Sequence, residues 1–207
     1  MIFCWLVIKK VLFKFSDILM IQEIIVTSIS VSGITHIAPM GVHVVDEEFV
    51  ILPFKPSTTL NNILETGGAV INCCDDVRVF AGCLTGRRDW PLQAAEQING
   101  NFLSDSLAHI ELKLERVEDD PLRPKLFCRA VHSVNHRPFQ GFNRAQFAVL
   151  EAAILVSRLD RLPWNKIQAE LDYLSIGLDK CAGDRELEAW GWLMQVVEQH
   201  RLGVQTG

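Results

Sequence analysis

The sequence predicts a mainly β domain followed by a helical C-terminal subdomain. Three observations carry this expectation. β-Branched runs recur between residues 24 and 74, separated by turn residues, and Leu107–Val117 alternates strictly between apolar and polar. After Gly141 the apolar period changes from two to 3.6.

Ile24–Ser30 and Thr35–Val45 read as strands divided by the hairpin signal Val31-Ser32-Gly33, and Phe49–Phe54 as a third strand after Glu47-Glu48. Together they imply an antiparallel meander. Ser57 or Thr58 then caps a short helix whose buried stripe is Leu60, Ile63 and Leu64 and whose stop is Gly67. Ala69–Cys74 returns as a strand. Asp89, with Pro91 in the first turn, opens a second short helix ending near Gly100.

In Leu107–Val117, Ile110, Leu112 and Leu114 face one way and His109, Glu111, Lys113 and Glu115 the other, the pattern of a half-solvated strand. Lys125–Val134 pairs with it across the Asp119-Asp120-Pro121 turn. In the tail, Asn143 caps a helix to about Leu159, Pro163 starts a second, and Asp184 starts a third. The expected organisation is an N-terminal extension over 1–19, a β domain over 20–140 and a helical subdomain over 141–203.

Residues 1–19 carry Lys9, Lys10, Lys14 and Asp17, a charge of +2, so the net −5 of the chain leaves −5 − 2 = −7 on the rest. An acidic body without a basic stripe opposes the counterion-release contribution to nucleic-acid affinity, and nucleic acid is set aside. The apolar run Ile2–Ile8 falls far short of the roughly 20 residues that cross a bilayer, so no membrane span is expected. Lysines interrupt this segment where a secretory signal is continuous, which argues against an exported protein. A short amphipathic anchor and a dispensable or mis-assigned start are the remaining readings, and the strand pattern beginning at Met20 favours the second. Cys4, Cys73, Cys74, Cys83, Cys128 and Cys181 form no CxxC pair. Reduced thiols in a cytoplasmic protein are expected, with Cys73 and Cys74 on opposite faces of one strand.

The informative chemistry lies at Lys55–Asn62. Hydroxyls at Ser57, Thr58 and Thr59 fall where a helix start presents unpaired N–H groups, an anion pocket to which Lys55 and Asn62 add donors. Ordinary helix capping, for which serine and threonine are preferred in any case, is the more economical account of the same residues at this level. Asp75 and Asp76 read as a solvated turn. His132 and His136 fall in a strand and its exit, not on one helical face, so no metal site is expected. No residue is identified as catalytic, and no GxSxG or Ser/His/Asp constellation occurs.

Ala38-Pro39-Met40-Gly41, followed by Thr59, Asn62, Thr66, Gly67, Val70 and Asn72 in order, resembles the flavin reductase-like members of the FMN-binding split-barrel superfamily. The lysine and aspartate of that pattern are replaced by Ser57 and Thr58, so Lys55 is the basic candidate. Pro53–Lys55, Asn72–Asp76 and Phe142–Ala152 further resemble an uncharacterised family within that superfamily, over nearly all of residues 20–200. The resemblance implies a split β-barrel, FMN as cofactor and a homodimer with flavin at the subunit interface. It implies cofactor contacts from Pro39, Met40, Gly41, Val42, Lys55, Ser57, Thr58, Thr59, Asn62 and Asn72. The phosphate would lie on Ser57–Thr59 and the ring along Pro39–Val42. Two functions follow from it: an FMN-dependent oxidoreductase or flavin reductase acting on a small molecule with reduced nicotinamide as a hydride source, or a non-catalytic binder of flavin, pterin or deazaflavin linked to one-carbon metabolism.

Because residues 1–19 are compositionally foreign to the β domain, their deletion is expected to leave a protein that melts cooperatively. Loss of that transition in the truncated chain would contradict the expectation.

Overall fold

The computed structural model describes residues 20–45 and 48–203. The reading of residues 1–19 lies outside them. Six strands close into a barrel: β1 (Met20–Ile29), β2 (Thr35–Val45), β3 (Glu48–Ile51), β4 (Gly68–Cys73), β7 (Ala108–Glu118) and β8 (Lys125–Asn135), in the order β1-β2-β3-β8-β7-β4. Every neighbouring pair is antiparallel, and β4 closes the ring on β1 through Ile25–Thr27. Closure gives every strand a partner on both sides over at least part of its length, which removes most of the free sheet edge that otherwise invites aggregation.

Alternation sorts the strand side chains. Ile24 and Val26 of β1, Val42, Ile51, Ile71, Leu112 and Leu126 form the barrel interior, and α1 (Thr58–Thr66) contributes Leu60 and Ile63 to it. Burying each of those two side chains stabilises by roughly 1.5–3 kcal/mol. The cap is as expected. The Ser57 hydroxyl accepts from the Leu60 amide, and Gly67 ends the helix at φ 74°, a conformation that favours glycine.

The second short helix lies elsewhere than the sequence suggested. Asp89–Gly100 holds loops and β5 (Leu92–Ala94), which pairs with β6 (Asn101–Leu103) as a small hairpin. That stretch lacks an apolar stripe to bury. The helix is α2 (Val77–Leu84), whose β-branched Val77 and Val79 disguise a stripe at Val77, Phe80, Ala81 and Leu84. Asp76 is its N-cap, buried where a solvated turn was expected.

α2 is the middle layer of the molecule. Val79, Phe80 and Cys83 pack on Ile25 and Ile37 of the outer barrel face, with Leu103 of β6. Val77 and Ala81 instead join the core of α3 (Arg144–Val156), α4 (Trp164–Cys181) and α5 (Asp184–Arg201). The tail helices therefore share a core with a helix inserted between β4 and β5. Gly177 lets α4 approach α3, because a Cβ there would meet the Arg144 carbonyl at 3.1 Å. The caps Asn143 and Pro163 stand where the sequence placed them, although α3 ends at Val156 rather than near Leu159. Cys73 and Cys74 pack against different cores, and burial pushes the Cys74 thiol up to about 12 and Cys83 to about 11, so these are not thiolates near neutral pH. No helix of the described residues is long and apolar enough to cross a membrane.

Asp76 joins the barrel exit to the tail. Its carboxylate accepts from the Arg78 amide at 3.1 Å and from the Arg78 guanidinium at 2.7–3.2 Å, while Arg185 of α5 lies 3.7 Å away. Arg78 in turn donates to Glu188 of α5 at 3.0 Å. Asp76→Ala removes the cap and leaves Arg78 without its buried partner, an expected loss of about 2–4 kcal/mol by urea denaturation. Asp76→Asn keeps the cap acceptor and should lose less; equal losses for the two would show that the ion pair contributes nothing beyond the cap.

Candidate functional site

β2 is eleven residues long and β3 only four, so β3 pairs with Val42–Val45 alone. Among the described residues Thr35–Gly41 has no strand beside it on that edge, and the chain leaving Ile51 reaches the N-terminus of α1 within six residues. α1 then packs on β1, β4 and β2, with Asn62 reaching Ser28. Over the uncovered half of β2 lies a cavity of about 250 Å³ lined by Glu23, Pro39, Met40, Gly41, Phe80 and Leu84, with Leu150, Ala153 and Ile154 of α3 and Ser157 and Arg158 just past its C-terminus as its far wall.

The ten residues singled out in the sequence fall into two groups. Pro39, Met40 and Gly41 line the cavity, whereas Ser57, Thr58 and Thr59 form the start of α1 and are not among its lining residues. Thr58 is exposed, Ser57 is half-buried and Thr59 is buried. The amides of Thr58 and Thr59 belong to the first turn, where a helix offers no carbonyl to receive them. Gly41 is required sterically, since a Cβ would lie 2.7 Å from Ile21 Cγ2.

The other group supports from behind. Val42 packs in the barrel interior, and Met40 packs partly against that core while also lining the cavity. The Asn62 amide donates to Ser28 at 3.1 Å. Fully buried Asn72 donates to the Ile25 and Val70 carbonyls and to Thr27, and accepts from the Leu103 amide at 2.7 Å, so its polar atoms are engaged within the fold. Lys55 pairs with Asp119, which compensates the charge expected to meet an anion.

Of the two tail arginines, Arg144 donates to Cys181 Sγ on the far side of α3, and Arg158 lines the β2 cavity without an ion pair among the described residues. Helical spacing gives the separation of the two arginines but not which end of α3 meets the barrel.

A second polar assembly was not legible. On the face of β7 expected to be solvated, His109 is 1% and Glu111 0% exposed. The Glu111 carboxylate accepts from the amides of Glu96 and Gln97 at 2.7 Å and Ile98 at 3.1 Å, pinning the β5–β6 loop to the barrel. Burial raises its pKa, but these amides and His109 outweigh that and hold it below the usual carboxylate value. His109 Nδ1 lies 2.8 Å from His136 Nε2, and the ring stacks on Phe102 with centroids 4.0 Å apart; burial is the main cause of its lowered pKa.

The architecture is mixed β and α, a closed six-stranded barrel followed by C-terminal helices. Within that class, residues 22–137 match the N-terminal domain and residues 143–195 the remainder of "Protein of unknown function (DUF447)". The chain belongs to the DUF447 family. Its fold is similar to that of an FMN-bound DUF447 protein from Methanosarcina mazei, at 19% identity and TM-score 0.74 over 89% of this chain and 99% of that one. It is also similar to 2-nitrobenzoate 2-nitroreductase from Pseudomonas fluorescens, at 22% identity and TM-score 0.51 over 62% and 72%. A third similarity, to nitrilotriacetate monooxygenase component B from Mycobacterium thermoresistibile, has 15% identity and TM-score 0.50 over 61% and 77%. No curated protein matches the chain by sequence.

Proposed function

We propose that this protein binds FMN in the groove between β2 and α3 and acts as a flavin-dependent oxidoreductase on a small molecule. The observation that carries the reading is the cavity over Pro39–Gly41, with the first turn of α1, a helix that packs on β2, as the candidate anion end. The FMN named for the Methanosarcina relative supports the choice of ligand.

The residues present fit such a group. The Thr58 and Thr59 amides and hydroxyls form the phosphate end, where helix-terminal N–H groups and the macrodipole favour an anion. Ser57 holds that turn in shape through its bond to Leu60. Pro39 and Gly41 give a smooth, close wall for an aromatic ring, and Phe80, Leu84 and Leu150 exclude water from its far side. Arg158 supplies the one cation lining this cavity, positioned to meet a polar ring edge or a second substrate. When bound, FMN supplies the two-electron chemistry, and the chain supplies position and a dry wall.

The protein is read as a cytoplasmic homodimer. A cavity of about 250 Å³ falls below the roughly 300–1,000 Å³ of a complete small-molecule site, as a site completed by a second subunit does. Phe139 and fully exposed Phe142, in edge-to-face contact at 5.2 Å, add apolar surface for that contact. Light scattering is expected to give a dimer; a monomer that binds FMN fully would contradict this.

Thr58→Val and Thr59→Val preserve shape and delete a hydroxyl. Losing a donor to a charged phosphate costs roughly 1.5–3 kcal/mol, so FMN affinity in the double variant should fall by at least roughly 10- to 150-fold while riboflavin affinity holds. Unchanged FMN affinity, or an equal loss for riboflavin, would make Ser57–Thr59 a helix cap only. Anaerobic bleaching of the flavin band by reduced nicotinamide is expected of an oxidoreductase using that donor; a bound flavin that no reduced nicotinamide bleaches would instead support the non-catalytic binder, whether for flavin, pterin or deazaflavin.

A further inference from the structure

The geometry points to a zinc-class divalent metal site at the β7–β8 sheet, formed by His109, Glu111 and His132 and closed by Glu96. It lies in the buried polar assembly and is independent of the flavin reading.

The pairing register creates it. His109 and Glu111 are two apart on β7 and so share a face, and Glu111 stands directly opposite His132 on β8. One ligand atom from each of the three lies within 4.8 Å of the others. The sequence tested His132 against His136 along one strand; the partners of His132 lie across the sheet.

The contacts made inside this cluster are poor as hydrogen bonds and good as ligand separations. His109 Nε2 is 3.4 Å from Glu111 Oε1, and His132 Nε2 is 3.5 Å from Glu96 Oε2. Zinc–nitrogen and zinc–oxygen bonds of about 2.0–2.2 Å at tetrahedral angles put neighbouring ligand atoms about 3.3–3.6 Å apart. His132 Nε2 is itself buried and has no hydrogen-bond partner, an orphaned acceptor that a cation would satisfy.

The supporting shell is in place. His136 Nε2 engages His109 Nδ1 at 2.8 Å, which fixes the ring and leaves Nε2 as the coordinating atom. Three backbone amides hold the Glu111 carboxylate and leave one lone-pair direction free on it. Glu96 is 64% exposed and sits in the β5–β6 loop, so its swing onto the metal both completes four-coordination and provides the entry path. Two nitrogens and two carboxylate oxygens suit zinc or cobalt better than calcium or magnesium, which prefer all-oxygen cages. The bound ion would staple the β5–β6 loop to the barrel.

Equilibrium dialysis of the full chain against zinc, with metal counted by atomic emission, is expected to give one ion per chain. Cobalt substitution should give tetrahedral d–d absorption on the red side of any flavin band. His132→Ala should weaken zinc binding by at least about 100-fold, and Glu96→Gln by about tenfold, with melts in chelator equal to the parent chain. His200→Ala, in the tail, should bind as the parent does. If His132→Ala fails to fold, Glu96→Gln on the exposed loop decides. Absence of stoichiometric zinc in the parent chain, binding that survives His132→Ala, or binding unaffected by Glu96→Gln would overturn the site.

Discussion

The mismatch in length between β2 and β3 is the constraint on which the rest of the structure depends. An eleven-residue strand flanked on one side by a four-residue strand leaves the backbone of Thr35–Gly41 without a ladder partner on that edge among the described residues. Unpaired backbone groups away from water are costly, so this edge must be covered or used. The Ile37 carbonyl is covered: it accepts from the Arg88 guanidinium at 2.7 Å. Pro39 has no N–H to satisfy. What remains, around Gly41, faces the cavity under α3, and the early end of β3 releases the chain toward α1.

The same economy explains the tail. α2 faces both ways, so one eight-residue helix transmits the position of the barrel's outer face to the core of α3, α4 and α5. The Asp76 carboxylate fixes the start of that helix and touches α5 through Arg185. Consequently α3 meets β2 at Leu150–Arg158, and the groove gains an apolar wall that a bare barrel lacks.

Much of this was legible in the sequence because local chemistry set it. Ser57 and Gly67 bracket α1 with a cap and a left-handed stop, and the tail helices declare themselves by Asn143, Pro163 and a 3.6 period. The failures share a cause. α2 hid behind β-branched valines whose burial on both faces overrides their propensity. The polar face of β7 looked solvated because nothing within the strand reveals that residues 96–98 fold back to donate three amides to Glu111. Asn72 matched a cofactor motif, yet its polar atoms bind β1, β4 and β6. Arg158 and the His109–Glu111–His132 cluster depend on tertiary placement and strand register, neither of which spacing along the chain encodes.

The central claim is that the α1 first turn and the uncovered half of β2 form one ligand site. A crystal structure of the protein with FMN tests it most directly. The account predicts phosphate oxygens about 2.7–3.2 Å from the Thr58 and Thr59 amide nitrogens, with the ring against Pro39–Gly41 beneath α3. A phosphate seated elsewhere, for instance on the exposed arginines Arg137 and Arg144, with the α1 turn free, would contradict it.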